Sequence, residues 1–228
     1  MAKVMYGALI VEARGSAGSE TYSKNAAGLY VKARTAPPYS NTSFQANTRN
    51  NMRTVSQAWR TLTDLQRQSW NIFADILTHR KYRFVEIFAD GYRVFLRCNM
   101  NRLNAGLSLL SVPGPIPKFP VTSIDYVQSN YSTDLLIIHV TNAIDPLNFS
   151  FNTYFSKPVS PGIGFGQKLL RYTYTRSTSS TAVAIDYHYD DRFGLRWVPG
   201  DYIFAGFSIL HIKSGLCSKI QYIRTLTY

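Results

Sequence analysis

Acid is scarce in this 228-residue sequence, with 13 Asp and Glu against 25 Lys and Arg. The resulting charge of +12 favours partners with negatively charged surfaces. Cysteine is scarcer still. Cys98 and Cys217 stand far apart with no other ligand types beside them, which excludes a disulfide scaffold and a zinc site and fits a reducing cytoplasm. No apolar run approaches the roughly 20 residues a spanning helix needs, so no membrane partner is expected. Glu12 and Arg14 interrupt the apolar N-terminal stretch before a secretory core could form, so no cleaved leader is expected. Aromatics are not lacking. With 14% Phe, Trp and Tyr, the chain has the apolar area to offset the entropy of ordering, which excludes disorder for the whole.

Proline clusters once, in Val112-Pro113-Gly114-Pro115-Ile116-Pro117-Lys118-Phe119-Pro120. Such a run blocks helix and central strand alike and reads as a linker over 113–120. It parts two compositions: 1–120 holds 16 Lys and Arg against 6 acids, and 121–228 holds 9 against 7. The basic character belongs to the first part. The expected organisation is an arm and helical docking domain over 1–112, the linker, and an immunoglobulin-like β-sandwich over 121–228.

In the first part, 8–11 and 29–34 carry strand formers, with Gly15, Gly18 and Gly28 as breakers between them. The small, polar stretch 16–25 reads as an exposed loop, or an arm that orders against a neighbour. Pro37-Pro38 ends it. Asn41, Thr42 and Ser43 offer N-caps to a helix over 43–61, whose Phe44, Met52, Val55, Trp59 and Leu62 mostly follow a three-to-four spacing. Thr63-Asp64-Leu65-Gln66 matches a capping box and opens a second helix over 64–78, with Trp70, Phe73, Ala74 and Leu77 on one face. The two helices form an antiparallel hairpin in contact through Trp59, Leu62, Trp70 and Phe73. Asp90 caps a third helix through Phe95, Leu96 and Leu103, closed by Asn104-Ala105-Gly106. Beyond Pro120 the period changes to two. Segments near 123–127, 135–141, 149–155, 169–175, 182–189, 202–210 and 219–226 predict about seven strands of an antiparallel sandwich of immunoglobulin or fibronectin type. The fold class is therefore α+β: an N-terminal β-hairpin or arm and a helical hairpin, then the sandwich.

Chemistry has few candidates. His79, His139, His188 and His211 are solitary, and none has a second ligand at the spacing that presents a metal pair, so no metal and no cofactor are expected. His188 beside Asp190 and Asp191 could mimic an acid-base cluster, but strand alternation sends neighbours to opposite faces. Gly162-Ile163-Gly164-Phe165-Gly166 lacks the dinucleotide spacing, and a strand instead of a helix follows it. No Gly-x-Ser-x-Gly elbow occurs, and Cys98 sits in an apolar helical pattern where an inert thiol is usual. No catalytic residue is assigned, and the chain reads as a non-enzyme. Arg49, Arg53, Arg60, Arg67, Arg80, Lys81, Arg83, Arg93, Arg97 and Arg102 could neutralise phosphates. They are spread singly at helical intervals, outside any recognised nucleic-acid motif, and Arg suits protein contacts equally.

The pattern Ala13-Arg14-Gly15, Gly28-Leu29-Tyr30-Val31-Lys32, Gln45, Arg49, Ala58-Trp59-Arg60-Thr61-Leu62-Thr63, Gln66-Arg67 and Trp70 resembles a family of small structural proteins of tailed bacteriophages and prophages. Tyr154-Phe155-Ser156-Lys157-Pro158-Val159-Ser160-Pro161-Gly162 is similar to a segment in the sandwich half of such proteins. Gly18 and the stretch 81–90 depart from the pattern. The resemblance implies a virion protein, made in the host cytoplasm, carrying an adhesive immunoglobulin-like module and no active site. Its expected role is an auxiliary or decoration protein of the capsid. A head-tail connector or tail protein, or a basic nucleic-acid-binding protein of the virion interior, are the alternatives. Its partners would be capsid, portal or tail subunits, with the chain itself present in many copies. The residues expected to make those contacts are Arg14, Lys24, Lys32 and Arg34 on the arm, and Trp59, Arg60, Arg67 and Trp70 at the helical corner.

Overall fold

Thr63 and Gln66 close the expected capping box in both directions. The Thr63 amide donates to Gln66 Oε1 at 2.9 Å and the Gln66 amide to Thr63 Oγ1 at 3.3 Å. This box separates α1 (Ser43–Thr61) from α2 (Asp64–His79). A third helix, α3 (Gly91–Asn104), starts where Asp90 accepts from the Arg93 amide at 2.8 Å. It ends in a Schellman turn, with Gly106 at φ 71° and bonds from Gly106 N to Leu103 O and from Leu107 N to Arg102 O. The helices share a core of Val55, Trp70, Phe73, Ala74, Leu77, Val94, Phe95 and Cys98.

These elements come from a computed structural model, which describes residues 2–3, 13–35, 42–79, 90–130, 135–184, 188–194 and 197–227. The chain forms two compact units, Met1–Thr42 and Ser43–Tyr228. Among the described residues no helix is long and apolar enough to cross a membrane.

The first unit is a four-stranded antiparallel sheet in the order β1-β4-β3-β2, built from β1 (Ala2–Lys3), β2 (Gly15–Ala17), β3 (Glu20–Asn25) and β4 (Gly28–Ala33). The stretch 16–25, expected as a loop, is mostly strand. Gly18 supplies the positive φ of a two-residue turn between Ala17 and Glu20, and Thr21 and Tyr22 are strand formers. The strand expected over 8–11 and the segment 81–89 lie outside the described residues.

The second unit holds the helices and the sandwich. One sheet is β5-β6-β9, from β5 (Ile124–Asn130), β6 (Leu135–Val140) and β9 (Ala182–Ala184). The other is β11-β10-β7-β8, from β7 (Phe149–Phe155), β8 (Arg171–Arg176), β10 (Tyr202–His211) and β11 (Gln221–Leu226). Because β8 pairs with β7 and not with β9, the sheets divide three and four, the reverse of the immunoglobulin constant arrangement. Leu136, Ile138 and Val183 from one sheet meet Phe151, Phe155, Ile203, Phe207 and Ile209 from the other. The strand expected over 182–189 is cut short, and the chain instead forms α4 (His188–Phe193), whose Tyr189 packs on Phe155 and donates to the Ser156 carbonyl at 2.9 Å.

The proline run differs from a free linker. Gly114 lies against the Lys213 backbone so closely that a β-carbon would collide with its carbonyl. Ile116 packs on the helical core, and Phe119 packs on both the helical and the sandwich core. Four prolines forbid helix and central strand, yet leave the segment free to lie as a packed strap. The main division of the chain consequently falls at Thr42, ahead of α1, and the helices belong with the sandwich.

Candidate functional site

A polar network lies where α3 meets the strands β7, β8 and β10. Tyr172 donates to the Asn104 carbonyl at 3.1 Å and shares a 2.8 Å bond with Thr175, which donates to Asn152 Oδ1 at 2.6 Å. Asn152 Nδ2 in turn points at Cys217 Sγ, 3.3 Å away. Tyr154 and Ser208 are joined at 3.3 Å. Around it, Arg102 donates to the Ser108 and Ile212 carbonyls, Asn101 to the Gly215 carbonyl and Asn99 to the Leu110 carbonyl. The Arg102, Asn101 and Asn99 donors are satisfied by backbone carbonyls, the pattern of a structural seam.

The network contains no activated nucleophile. Burial pushes the Cys217 thiol up to about 12, and burial beside Cys217 pushes the Cys98 thiol up as well, against the opposing pull of Arg97 and Arg102. Both stay protonated at neutral pH, the reverse of what catalysis asks of a thiol. His211 and Ser214 are 2.7 Å apart, but burial lowers the imidazole, and the Ser214 oxygen turns back toward the Leu216 amide. The pair clips the turn between β10 and β11. Among the described residues no three His, Cys, Asp or Glu side chains come together as a metal site. The side chains of His79, His188, Asp190 and Asp191 lie outside the described residues. His139 stacks on Tyr126 with centroids 4.1 Å apart. The 162–166 glycine loop is fastened by Arg224, which donates to the Pro161 and Ile163 carbonyls at 2.7 and 2.9 Å. Gly166 is pressed on the Phe204 ring. The loop thus offers carbonyls to a cation, where a phosphate loop would offer amides.

The surfaces are more informative. In the first unit none of residues 13–35 is buried. Strand register places Ala17, Tyr22, Leu29 and Val31 on one face with Lys24, and Ser16, Thr21, Ser23 and Tyr30 on the other with Lys32. The expected arm cations are all exposed, but Lys24 and Lys32 point to opposite faces and cannot meet one flat surface together.

The helical corner splits the other four expected residues. Trp70 is fully buried, edge-on to Phe73 and Phe95, with its indole N–H donating to the Ser111 carbonyl at 2.9 Å. It shapes the corner and is closed to direct contact. Trp59 is half-buried on Tyr92 and Phe95. Arg67 turns inward to Asp64 at 3.2 Å and to the Arg60 carbonyl at 2.9 Å, tying α2 to the end of α1. Arg60 is exposed. The buried polar seam of Asn99, Asn101 and Arg102 escaped the sequence reading, where only Arg102 stood out, as a possible phosphate contact. Polar residues at 99, 101 and 102, next to the buried Phe95 and Cys98, were its only signal.

No protein-family model matches the chain, and no curated protein matches it. Among solved structures, a crystal structure of wild-type OgpA from Akkermansia muciniphila overlaps 56% of this chain and 34% of that one, with a TM-score of 0.32 at 12% identity. Catalytically inactive OgpA from the same organism, in complex with an O-glycopeptide (glycodrosocin) substrate, gives 0.30 at 11% identity over 56% of this chain and 35% of that one. This chain spans about a third of the length of the structures it overlaps, and a likeness this loose transfers no activity to it.

Proposed function

We propose that the chain is a non-enzymatic structural protein of a bacteriophage virion, an auxiliary capsid component whose N-terminal sheet docks on a neighbouring subunit. The observation that supports this reading is the sheet itself. It forms a compact unit of its own, yet none of residues 13–35 is buried, and Tyr22, Leu29 and Val31 gather on one face. A small sheet with no buried side chain among its described residues 13–35 is marginal alone and gains stability by covering that face or by extending its edge along a partner. The resemblance over about residues 8 to 75 to phage structural proteins points to a particle, and repetition in a particle lets weak contacts act together.

The test is to purify particles and quantify the protein by mass spectrometry against the major shell subunit. A fixed stoichiometric ratio is expected, and absence from washed particles sinks the reading. Leu29→Asp with Val31→Asp should abolish incorporation while leaving the helical and sandwich unit folded.

A further inference from the structure

We propose that the solvent face of α1 is a binding site for the phosphate backbone of a nucleic-acid duplex, read without regard to sequence. This stands apart from the assembly reading and does not rest on it.

Helix α1 carries three arginines and no acid. At 3.6 residues per turn, Arg49, Arg53 and Arg60 fall within one narrow stripe, roughly 120° to 160° around the helix from the buried Val55. All three are exposed. The stripe runs about 16 Å along the axis at 1.5 Å per residue. Asn50 and Gln57 flank it, also exposed, and supply the neutral amide donors that phosphate and sugar oxygens accept. Elsewhere in the helices, Arg67 pairs with Asp64, Arg93 with Asp90, and Arg102 donates inside the seam. Arg53 and Arg60 have no ion pair among the described residues.

Two features select a duplex over other polyanions. A protein interface centres on a buried aromatic or aliphatic anchor, and this stripe holds none. Single strands are held by stacking on exposed aromatics, and the aromatics of α1 are engaged, Phe44 beneath the Arg192 guanidinium and Trp59 against Tyr92 and Phe95. Apart from Met52, 41% exposed beside Arg49, the stripe and its flanks present charge and amide, which match a phosphate backbone.

The experiment measures binding of the full chain to a fluorescent 20-base-pair DNA duplex, the matching RNA duplex and single-stranded DNA across a salt series. Arg49→Gln/Arg53→Gln/Arg60→Gln is compared with Lys157→Gln/Lys168→Gln/Lys219→Gln, which removes the same charge from exposed positions of the sandwich unit outside α1. The stripe variant should weaken duplex binding at least about tenfold and flatten the slope of log affinity against log salt by about 2 to 3, the loss of three phosphate contacts. The control variant should change affinity less than threefold, and matching melting curves establish that both variants are folded. Equal binding of DNA and RNA duplexes supports the backbone site, as does a preference for either over single strands. Equal loss in both variants overturns the site in favour of diffuse charge. Tighter binding of single strands, or competition by poly-glutamate as effective as that by duplex, overturns the assigned ligand.

Discussion

Gly215 lies against the backbone of Cys98, so that a β-carbon added to it would run into the Cys98 carbonyl. Its φ of 73° disfavours any side chain independently, and its own carbonyl accepts from Asn101 at 2.9 Å. The turn between β10 and β11 is thereby seated on α3, with Leu216 entering the helical core. Gly215→Ala should cost about 2 to 4 kcal/mol, combining left-handed strain with a clash against rigid backbone. Urea denaturation checks this, and a loss below about 0.5 kcal/mol would show that the turn does not hold the helix.

Trp70 is the centre of the helical corner. Trp70→Ala should destabilise by about 3 to 5 kcal/mol through the cavity it opens. Trp70→Phe keeps much of the volume but leaves the Ser111 carbonyl without its donor, for about 1 to 3 kcal/mol. Denaturant midpoints of the two variants separate the packing contribution from that of the hydrogen bond.

How far the sequence could be read depends on the range of the forces involved. The capping box of Thr63 and Gln66 and the Asp90 cap were legible because both partners lie within one turn. The strand periods were legible because alternation is local too. The choice of β8 to pair with β7 was not, since it depends on which sheet's edge is open after the chain has crossed the sandwich. The proline run shows a different limit. Its residues announce what the segment cannot form and say nothing of what Ile116 and Phe119 pack against. Trp70 was legible as a contact between the helices but not as a side chain closed to partners, and the seam under α3 was hidden because two of its partners, Gly215 and Ile212, are more than a hundred positions away.

Burial of the thiols sets an alkaline limit to stability. Cys217 is raised from an ordinary value of 9.0 to about 12, Tyr154 from 10.0 to about 12, and Cys98 is raised as well, in each case mainly by burial. All are neutral when protonated. In the unfolded chain they ionise near their ordinary values, so above about pH 9 the unfolded state holds fewer protons and stability falls as pH rises. Full stability is expected below that point, with progressive loss toward pH 12. Cys217→Ala should flatten the slope of denaturant midpoint against pH. At pH 8 a thiol reagent should label neither cysteine in the native protein and both in urea, and rapid native labelling would contradict the buried placement.

His211 gives the acid side the opposite sign. Burial, with Lys213 nearby, lowers its imidazole below the ordinary 6.5. A depressed histidine stabilises the fold above its unfolded value, and that contribution is lost as pH falls through the folded one. Stability should decline on acidification below about pH 6.5, and His211→Gln should reduce the decline at some cost at neutral pH. Denaturant midpoints from pH 7 to pH 4.5 test it.

Phe119 decides whether the second unit unfolds as one. It packs against the helical core and also against the sandwich core, with its ring 6.2 Å from that of Phe149. Trp70 reports the helical core and Trp197 the sandwich core. With Phe119 and Leu216 spanning the junction, fluorescence of variants that keep only Trp70 or only Trp197, the other tryptophans replaced by Phe, and far-ultraviolet circular dichroism should follow a single urea transition with a shared midpoint. Phe119→Ala should lower that midpoint for both probes together, by about 1 to 3 kcal/mol. If 113–120 were a free linker, the two tryptophans would report separate transitions, and Phe119→Ala would move at most one of them.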